Sequence, residues 1–243
     1  MTADYFLVLA IIAVLSVVQS LFGMGILVFG TPTLLLMGYD FNQTLGHLLP
    51  ASFAVSLLQI VTAGENRPRI SKQLYVICLP GIALGLWLAE NTFLAAKINM
   101  MVGMALLLSA ALRGWPQSRK WFRILLAKQF PAYHLVMGVI HGLTNLGGAL
   151  LAVLASETAH EKHAIRYTVA SYYLAFSVAQ MLFLTLVMGL GASFVDNLPG
   201  VGVSAIVYML VGRRVFTRAS PQVFHHALTF FIAAYGVVVL LKS

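Results

Sequence analysis

Residues 19–26 read QSLFGMGI and interrupt an otherwise continuous apolar stretch. From Tyr5 to Tyr39 the chain carries no Asp, Glu, Lys or Arg. Two glycines one residue apart predict a helix break here, because glycine costs about 1 kcal/mol relative to alanine in a helix interior. Within a membrane, a broken backbone is tolerated only where protein or a wet cavity covers it. The stretch therefore predicts a functional break in a membrane-embedded helix.

A second interruption, HGLTNLGG, occupies residues 141–148. The apolar segments beside the two breaks, 26–37, 132–143 and 148–156, are shorter than the roughly 20 residues that a spanning helix needs. Short segments paired around a glycine break predict a helix hairpin. Such a hairpin either re-enters on the side it came from or crosses the membrane twice, and the sequence fits both arrangements.

Composition places the whole chain in a membrane. Of its 243 residues, 60% are hydrophobic and only 9% are charged, whereas about 25% charged is usual in soluble domains. The net charge of +8 comes from basic loops, as the positive-inside bias predicts, so the partners expected are membrane lipids and not nucleic acid. The single cysteine, Cys78, excludes an intrachain disulfide.

The apolar pattern predicts ten helical segments, with a polar turn at residues 40–43 before the third. They are 5–22, 26–37, 47–63, 73–89, 97–112, 132–143, 148–156, 164–188, 199–212 and 222–241. If each broken hairpin returns to the side it entered from, thirteen of the fifteen Lys and Arg residues share one side. This distribution satisfies the positive-inside rule and predicts both termini outside.

The same topology makes the two halves inverted relative to one another. Residues 52–59 align with residues 173–180 at an offset of 121, and Gly23-Met24-Gly25 falls near Asn145-Leu146-Gly147 at an offset of 122. We therefore predict an all-α polytopic membrane protein with two inverted repeats, each with a Gly-broken hairpin plus three further helices. The repeats cover 1–112 and 131–243, and a basic amphipathic linker, 113–130, is expected to lie on the lipid headgroups.

Helix starts at the two breaks predict a site for an anion. Inverted-repeat transporters bind substrate near the midplane, where the N-termini of half-helices point inward. Free N–H groups and the helix dipole make such ends attractive to anions. All seven acids and fifteen cations lie in loops or at helix ends, so no carboxylate cluster predicts a metal cation site. We expect the anion between residues 22–26 and 144–148.

Candidate binding residues come from the breaks and from two polar helix faces. They are Gln19, Phe22, Gly23, Met24, Gly25, Ser52, Ser56, His141, Thr144, Asn145, Gly147, Gly148, Tyr173 and Ser177. For the glycines, the alternative is tight helix packing, and for the polar side chains it is interhelical hydrogen bonding, worth about 0.6 kcal/mol on average. His141 is expected to donate to an anion, to carry a proton or to serve structure alone.

The sequence predicts no catalytic constellation, cofactor site or metal site. It contains no glycine-rich loop followed by Lys-Ser or Lys-Thr, and therefore no ATP site of that type. Any transport would run downhill or be coupled to an ion gradient.

The glycines also carry a resemblance. Gly23-x-Gly25 followed by Thr31-Pro32, its counterpart over residues 138–148, and residues 46–52 resemble the duplicated signature of the sulfite exporter TauE/SafE family. Here Ile26 follows Gly25, and no proline follows Gly148. The resemblance implies a bacterial inner-membrane exporter of sulfite, a sulfonate or a related organosulfur acid. The alternatives are an uptake carrier for a small carboxylate or organosulfur compound, an anion channel and a non-transporting assembly subunit; a homodimer is compatible with all of them.

Overall fold

The fold is known from a computed structural model that describes four long stretches of the chain and several isolated residues. These are residues 3–65, 67–91, 128–159 and 161–218, with 97, 100–105, 107, 124, 237 and 241. The predicted helices 97–112 and 222–241 and the linker 113–130 lie almost entirely outside them. Every regular element in the described stretches is a helix, which confirms the all-α class.

The described helices follow one another with short connections. They are α1 Ala3–Phe22, α2 Ile26–Leu36, α3 Phe41–Val61, a π-helical turn Leu74–Cys78 leading into α4 Leu79–Asn91, α5 Phe130–Thr144, α6 Gly148–Thr158, α7 Lys162–Met188, α8 Gly191–Asp196, α9 Leu198–Val207, a second π-helical turn Tyr208–Gly212 and α10 Arg213–Arg218. Both predicted breaks are present, between α1 and α2 and between α5 and α6.

Four helices in the described part of the chain are long and apolar enough to cross a membrane. They are Asp4–Phe22, Phe41–Val61, Lys162–Met188 and Leu198–Arg218. The chain is therefore a polytopic membrane protein. Helix α2 has 11 residues and rises about 16 Å, roughly half of the hydrocarbon thickness, as predicted for a half-helix.

The chain forms two compact units. The first unit contains Met1–Pro68 and Arg166–Ala219, and the second contains Arg69–Ile165 and Ser220–Ser243. Each unit draws on both predicted repeats, because elements far apart in the sequence pack together within it. The repeat boundaries themselves stay a prediction.

The start of α3 differs from the prediction. Residues 40–43 were expected to form a turn, but Asp40 caps a helix that begins at Phe41. The Gln43 N–H donates to Asp40 Oδ1 at 2.8 Å, and the Asp40 N–H donates to Gln43 Oε1 at 3.2 Å. This reciprocal capping box satisfies two helix-end N–H groups, so a polar stretch that resembles a turn opens the helix six residues early.

In the second unit, glycines let α4 and α5 pack backbone against backbone. A Cβ added at Gly138 would overlap the Cys78 carbonyl oxygen, and one at Gly142 would overlap that of Ile82. From the opposite helix, a Cβ at Gly85 would overlap the Val139 carbonyl oxygen. Glycines four residues apart on a helix permit this close approach in membranes. Gly138 and Gly142, part of the resemblance to the exporter family, therefore serve helix packing.

Candidate functional site

The first break, residues 22–26, lies in the first unit and requires both of its glycines. Gly23 has a positive φ of 77°, which glycine adopts at little cost. A Cβ there would also lie 2.9 Å from the Val169 side chain. At Gly25, an added Cβ would lie 2.6 Å from the backbone nitrogen of Gln19. The break therefore folds back tightly on the last turn of α1.

Gln19 holds the first break together from the centre of the unit. Its Nε2 donates to the Ser52 carbonyl oxygen at 3.0 Å and to Ser56 Oγ at 3.1 Å, both on α3. Its Oε1 accepts the N–H of Ile26, the first residue of α2, at 3.1 Å. All three side chains that take part, Gln19, Ser52 and Ser56, are fully buried. One side chain thus connects α1, α2 and α3, and the interhelical alternative describes these bonds.

This capping changes which N–H groups at the start of α2 can meet a ligand. The Ile26 N–H is already bonded to Gln19, and the Phe29 N–H bonds to the Gly25 carbonyl oxygen at 3.0 Å. The N–H groups of Leu27 and Val28 fall in the first turn, where a helix provides no internal partner. The predicted backbone site at this break is therefore reduced to these two groups.

The second break, residues 144–148, lies in the second unit. Asn145 ends α5 with a left-handed φ of 62°, a conformation that Asn tolerates better than most residues. The His141 carbonyl oxygen accepts the Asn145 N–H at 2.7 Å, and His141 Nδ1 accepts the Gly147 N–H at 3.2 Å. The Leu146 N–H donates to Thr144 Oγ1 at 3.3 Å. Five predicted residues therefore meet here: His141, Thr144, Asn145, Gly147 and Gly148.

The two breaks share one local geometry. Three pairs of positions are separated by 122 residues: Gln19 and His141, Gly23 and Asn145, Gly25 and Gly147. Gly23 and Asn145 both have positive φ, and each donates its N–H to the carbonyl of its partner four residues earlier, at 2.8 and 2.7 Å. In both breaks a side chain from the end of the first helix accepts an N–H beyond the break. This equivalence supports the predicted repeat.

The hydrogen bond from Gly147 fixes the tautomer of neutral His141. Nδ1 accepts that bond and therefore carries no proton, so the proton of the neutral ring lies on Nε2. The ring is fully buried. His141 consequently combines a structural acceptor on one nitrogen with a donor on the other.

Replacing His141 by glutamine is expected to preserve the fold, because Gln19 performs the same task at the equivalent position of the first break. Replacement by leucine leaves the buried Gly147 N–H without an acceptor, at a cost of about 1–3 kcal/mol. Thermal melting in detergent would measure the difference. Equal melting temperatures for His141→Leu and His141→Gln would contradict the capping role.

The family model described as Sulfite exporter TauE/SafE matches residues 7–239, a range that includes both breaks. The chain belongs to the sulfite exporter TauE/SafE family. The predicted resemblance is thus confirmed over nearly the whole chain. Comparisons with curated proteins and with solved structures returned no match.

The other predicted residues of this TauE/SafE family member lie around the first break. Tyr173 and Ser177 follow Val169 on α7 at spacings of four, so they continue the face that meets Gly23. Ser177 Oγ is buried and has no hydrogen-bond partner among the described residues. Met24 is almost completely buried, whereas Phe22 is partly exposed.

Sequence analysis counted Arg166 only as a charge at a helix end. In the structure, its Nη1 donates to the Ser20 carbonyl oxygen at 3.3 Å, immediately before the first break. Its guanidinium carbon lies 3.5 Å from the centroid of the Phe216 ring. Arg166 and Ser20 are 146 residues apart, and no local pattern indicates such a contact. The family's first break therefore has a cation beside it that the sequence did not predict there.

Proposed function

We propose that the chain is a secondary transporter that exports a small sulfur-containing anion, such as sulfite, a sulfonate or a related organosulfur acid. It works in a bacterial inner membrane, with both termini outside, by alternating access. The observation that supports this proposal most strongly is the pair of equivalent breaks within a chain of the sulfite exporter family.

The chemistry of the breaks favours an anionic substrate. The first turns of α2 and α6 follow the breaks directly, and their N–H groups and dipoles attract negative charge. Gly25, Gly147 and Gly148 carry no side chain that would keep a ligand from the backbone. The proposed binding residues remain Gln19, Phe22, Gly23, Met24, Gly25, Ser52, Ser56, His141, Thr144, Asn145, Gly147, Gly148, Tyr173 and Ser177.

Flux into proteoliposomes would test the transport function. Sulfite, sulfoacetate, taurine, sulfate and lactate form the panel, and saturable flux of a sulfur-containing anion is expected. Substrate preloaded on the opposite side should accelerate the flux of labelled substrate, because a carrier returns faster when loaded. Flux that neither saturates nor responds to preloading would indicate a channel, and flux of lactate alone would overturn the assignment of a sulfur substrate.

Valine at Gly23, Gly25, Gly147 or Gly148 is expected to reduce transport at least about tenfold, the effect of 1.4 kcal/mol. At Gly23 and Gly147 the new side chain would meet Val169 and His141 at less than 3 Å. Gly64→Val is the matched control, because a Cβ at Gly64 meets nothing within 4 Å. Wild-type flux in all four variants would show that the breaks do not bind substrate.

A further inference from the structure

Two polar side chains of the first unit converge on one backbone oxygen, the carbonyl of Ser20. Arg166 Nη1 donates to this oxygen at 3.3 Å, and Gln59 Nε2 donates to it at 3.3 Å. Ser20 lies in the last turn of α1, where carbonyl groups have no partner within the helix. The first break, which begins two residues later, therefore has a guanidinium and a buried amide at its edge.

Arg166 has a position suited to an anion. Its guanidinium is partly buried and stacks on Phe216, and no ion pair with a carboxylate is recorded for it in the described stretches. A cation removed from water without a counter-ion is unfavourable. The planar group has five N–H donors and matches the oxygens of an oxyanion in pairs, and one bond to Ser20 uses only one of them.

Gln59 leaves an acceptor unused in the same place. Its Nε2 donates to the carbonyl oxygens of both Gln19, at 2.8 Å, and Ser20, so the orientation of the amide is determined. Its Oε1 is buried and has no hydrogen-bond partner among the described residues. A buried acceptor without a donor costs about 1–3 kcal/mol, and a ligand that carries an O–H or N–H group would satisfy it.

We propose that Arg166 and Gln59 recognise the transported anion at the first break. Arg166 binds the oxyanion oxygens, and Gln59 Oε1 accepts a hydrogen bond from a donor on the same molecule. The substrate class is therefore an oxyanion that retains a donor, such as hydrogensulfite or a hydroxysulfonate, in preference to sulfate or a plain alkylsulfonate. This inference rests on the proposed transport function and names the substrate chemistry of its site.

The competing interpretation is that Arg166 only caps the carbonyl end of α1. Flux kinetics and melting curves of Arg166→Gln and Arg166→Lys separate the two interpretations. Recognition predicts a KM for sulfite raised about tenfold or more in Arg166→Gln, with partial recovery in Arg166→Lys, because an ammonium lacks the planar fork. Arg214→Gln, which removes an exposed cation of α10, is the matched control and should keep the wild-type KM.

An unchanged KM in Arg166→Gln with a lowered melting temperature would overturn recognition and leave only the cap. If Arg166→Gln does not fold, Arg166→Lys decides, since a raised KM at an unchanged melting temperature supports recognition and an unchanged KM refutes it. Absence of any flux in the wild type would instead overturn the proposed function and this inference with it.

The acceptor of Gln59 is tested with a matched pair of probes, ethanesulfonate and 2-hydroxyethanesulfonate, which differ by one hydroxyl group. We expect wild-type protein to transport the hydroxylated probe with a kcat/KM about tenfold higher or more, because a site built to bond a hydroxyl discriminates against analogues without it. Gln59→Met should remove that preference while ethanesulfonate transport persists. Equal transport of both probes by the wild type would overturn the role of Gln59.

Discussion

Alanine at Gly138 is expected to lower the melting temperature of the protein by roughly 6–12 °C, the largest change in stability that we predict for a single methyl group. The new Cβ would overlap the Cys78 carbonyl oxygen on α4. A backbone oxygen cannot rotate away as a side chain does, so α4 and α5 must separate along their length. Overpacking of this kind costs about 3 kcal/mol, the upper end of the usual range.

Thermal unfolding in detergent would measure this effect, and Gly142→Ala should behave in the same way because its Cβ would overlap the Ile82 carbonyl oxygen. Gly202→Ala is the matched control: Gly202 lies in an apolar helix, α9, and a Cβ there meets nothing within 4 Å. That control should leave stability unchanged or raise it slightly, since alanine favours helices. If Gly138→Ala and Gly202→Ala melt together, the close packing of α4 and α5 is wrong.

Gln19→Leu is expected to lose most transport activity and about 1–3 kcal/mol of stability. The loss is dominated by the Ile26 N–H, which would be buried without an acceptor. The bonds to Ser52 and Ser56 contribute less, because interhelical side-chain bonds in membranes average about 0.6 kcal/mol. Flux in proteoliposomes and melting in detergent would report the two effects separately.

A double variant identifies which of these bonds matters. Adding Ser56→Ala to Gln19→Leu removes a hydroxyl that has lost its partner, and should recover only a few tenths of a kcal/mol. Full recovery of stability would mean that the side-chain bonds, and not the capped N–H of α2, hold the break. Wild-type flux in Gln19→Leu would contradict the importance of the break for transport.

Sequence reasoning located the breaks correctly because their cause is local. Glycine pairs interrupt helices wherever they occur, so Gly23-x-Gly25 and Gly147-Gly148 were readable directly. The left-handed residue of the second break was not recognised, since Asn145 takes the place that glycine holds in the first. Only the dihedral angles show that these two positions are equivalent.

Long-range relations could not be read in this way. Gln19 was expected to contact substrate, but which of its neighbours it would bond depended on how α3 packs against α1. Arg166 reaches Ser20 across 146 residues, and nothing near either residue in the sequence announces the contact. The capping box at Asp40 is a local signal that was present and was misread, because the same residue types also favour turns.

The bonds of Gln19 have a consequence for biosynthesis. Helix α1 leaves the ribosome before Ser52 and Ser56 have been translated, so Gln19 enters the bilayer with no partner on α3. The mean hydropathy of Asp4–Phe22 is 2.4, against 1.5 for Phe41–Val61, and this surplus of apolar side chains offsets the early exposure of one amide to lipid. The less apolar α3 then inserts beside a polar group already waiting for it, so the order of synthesis matches the order in which the helices can tolerate the membrane.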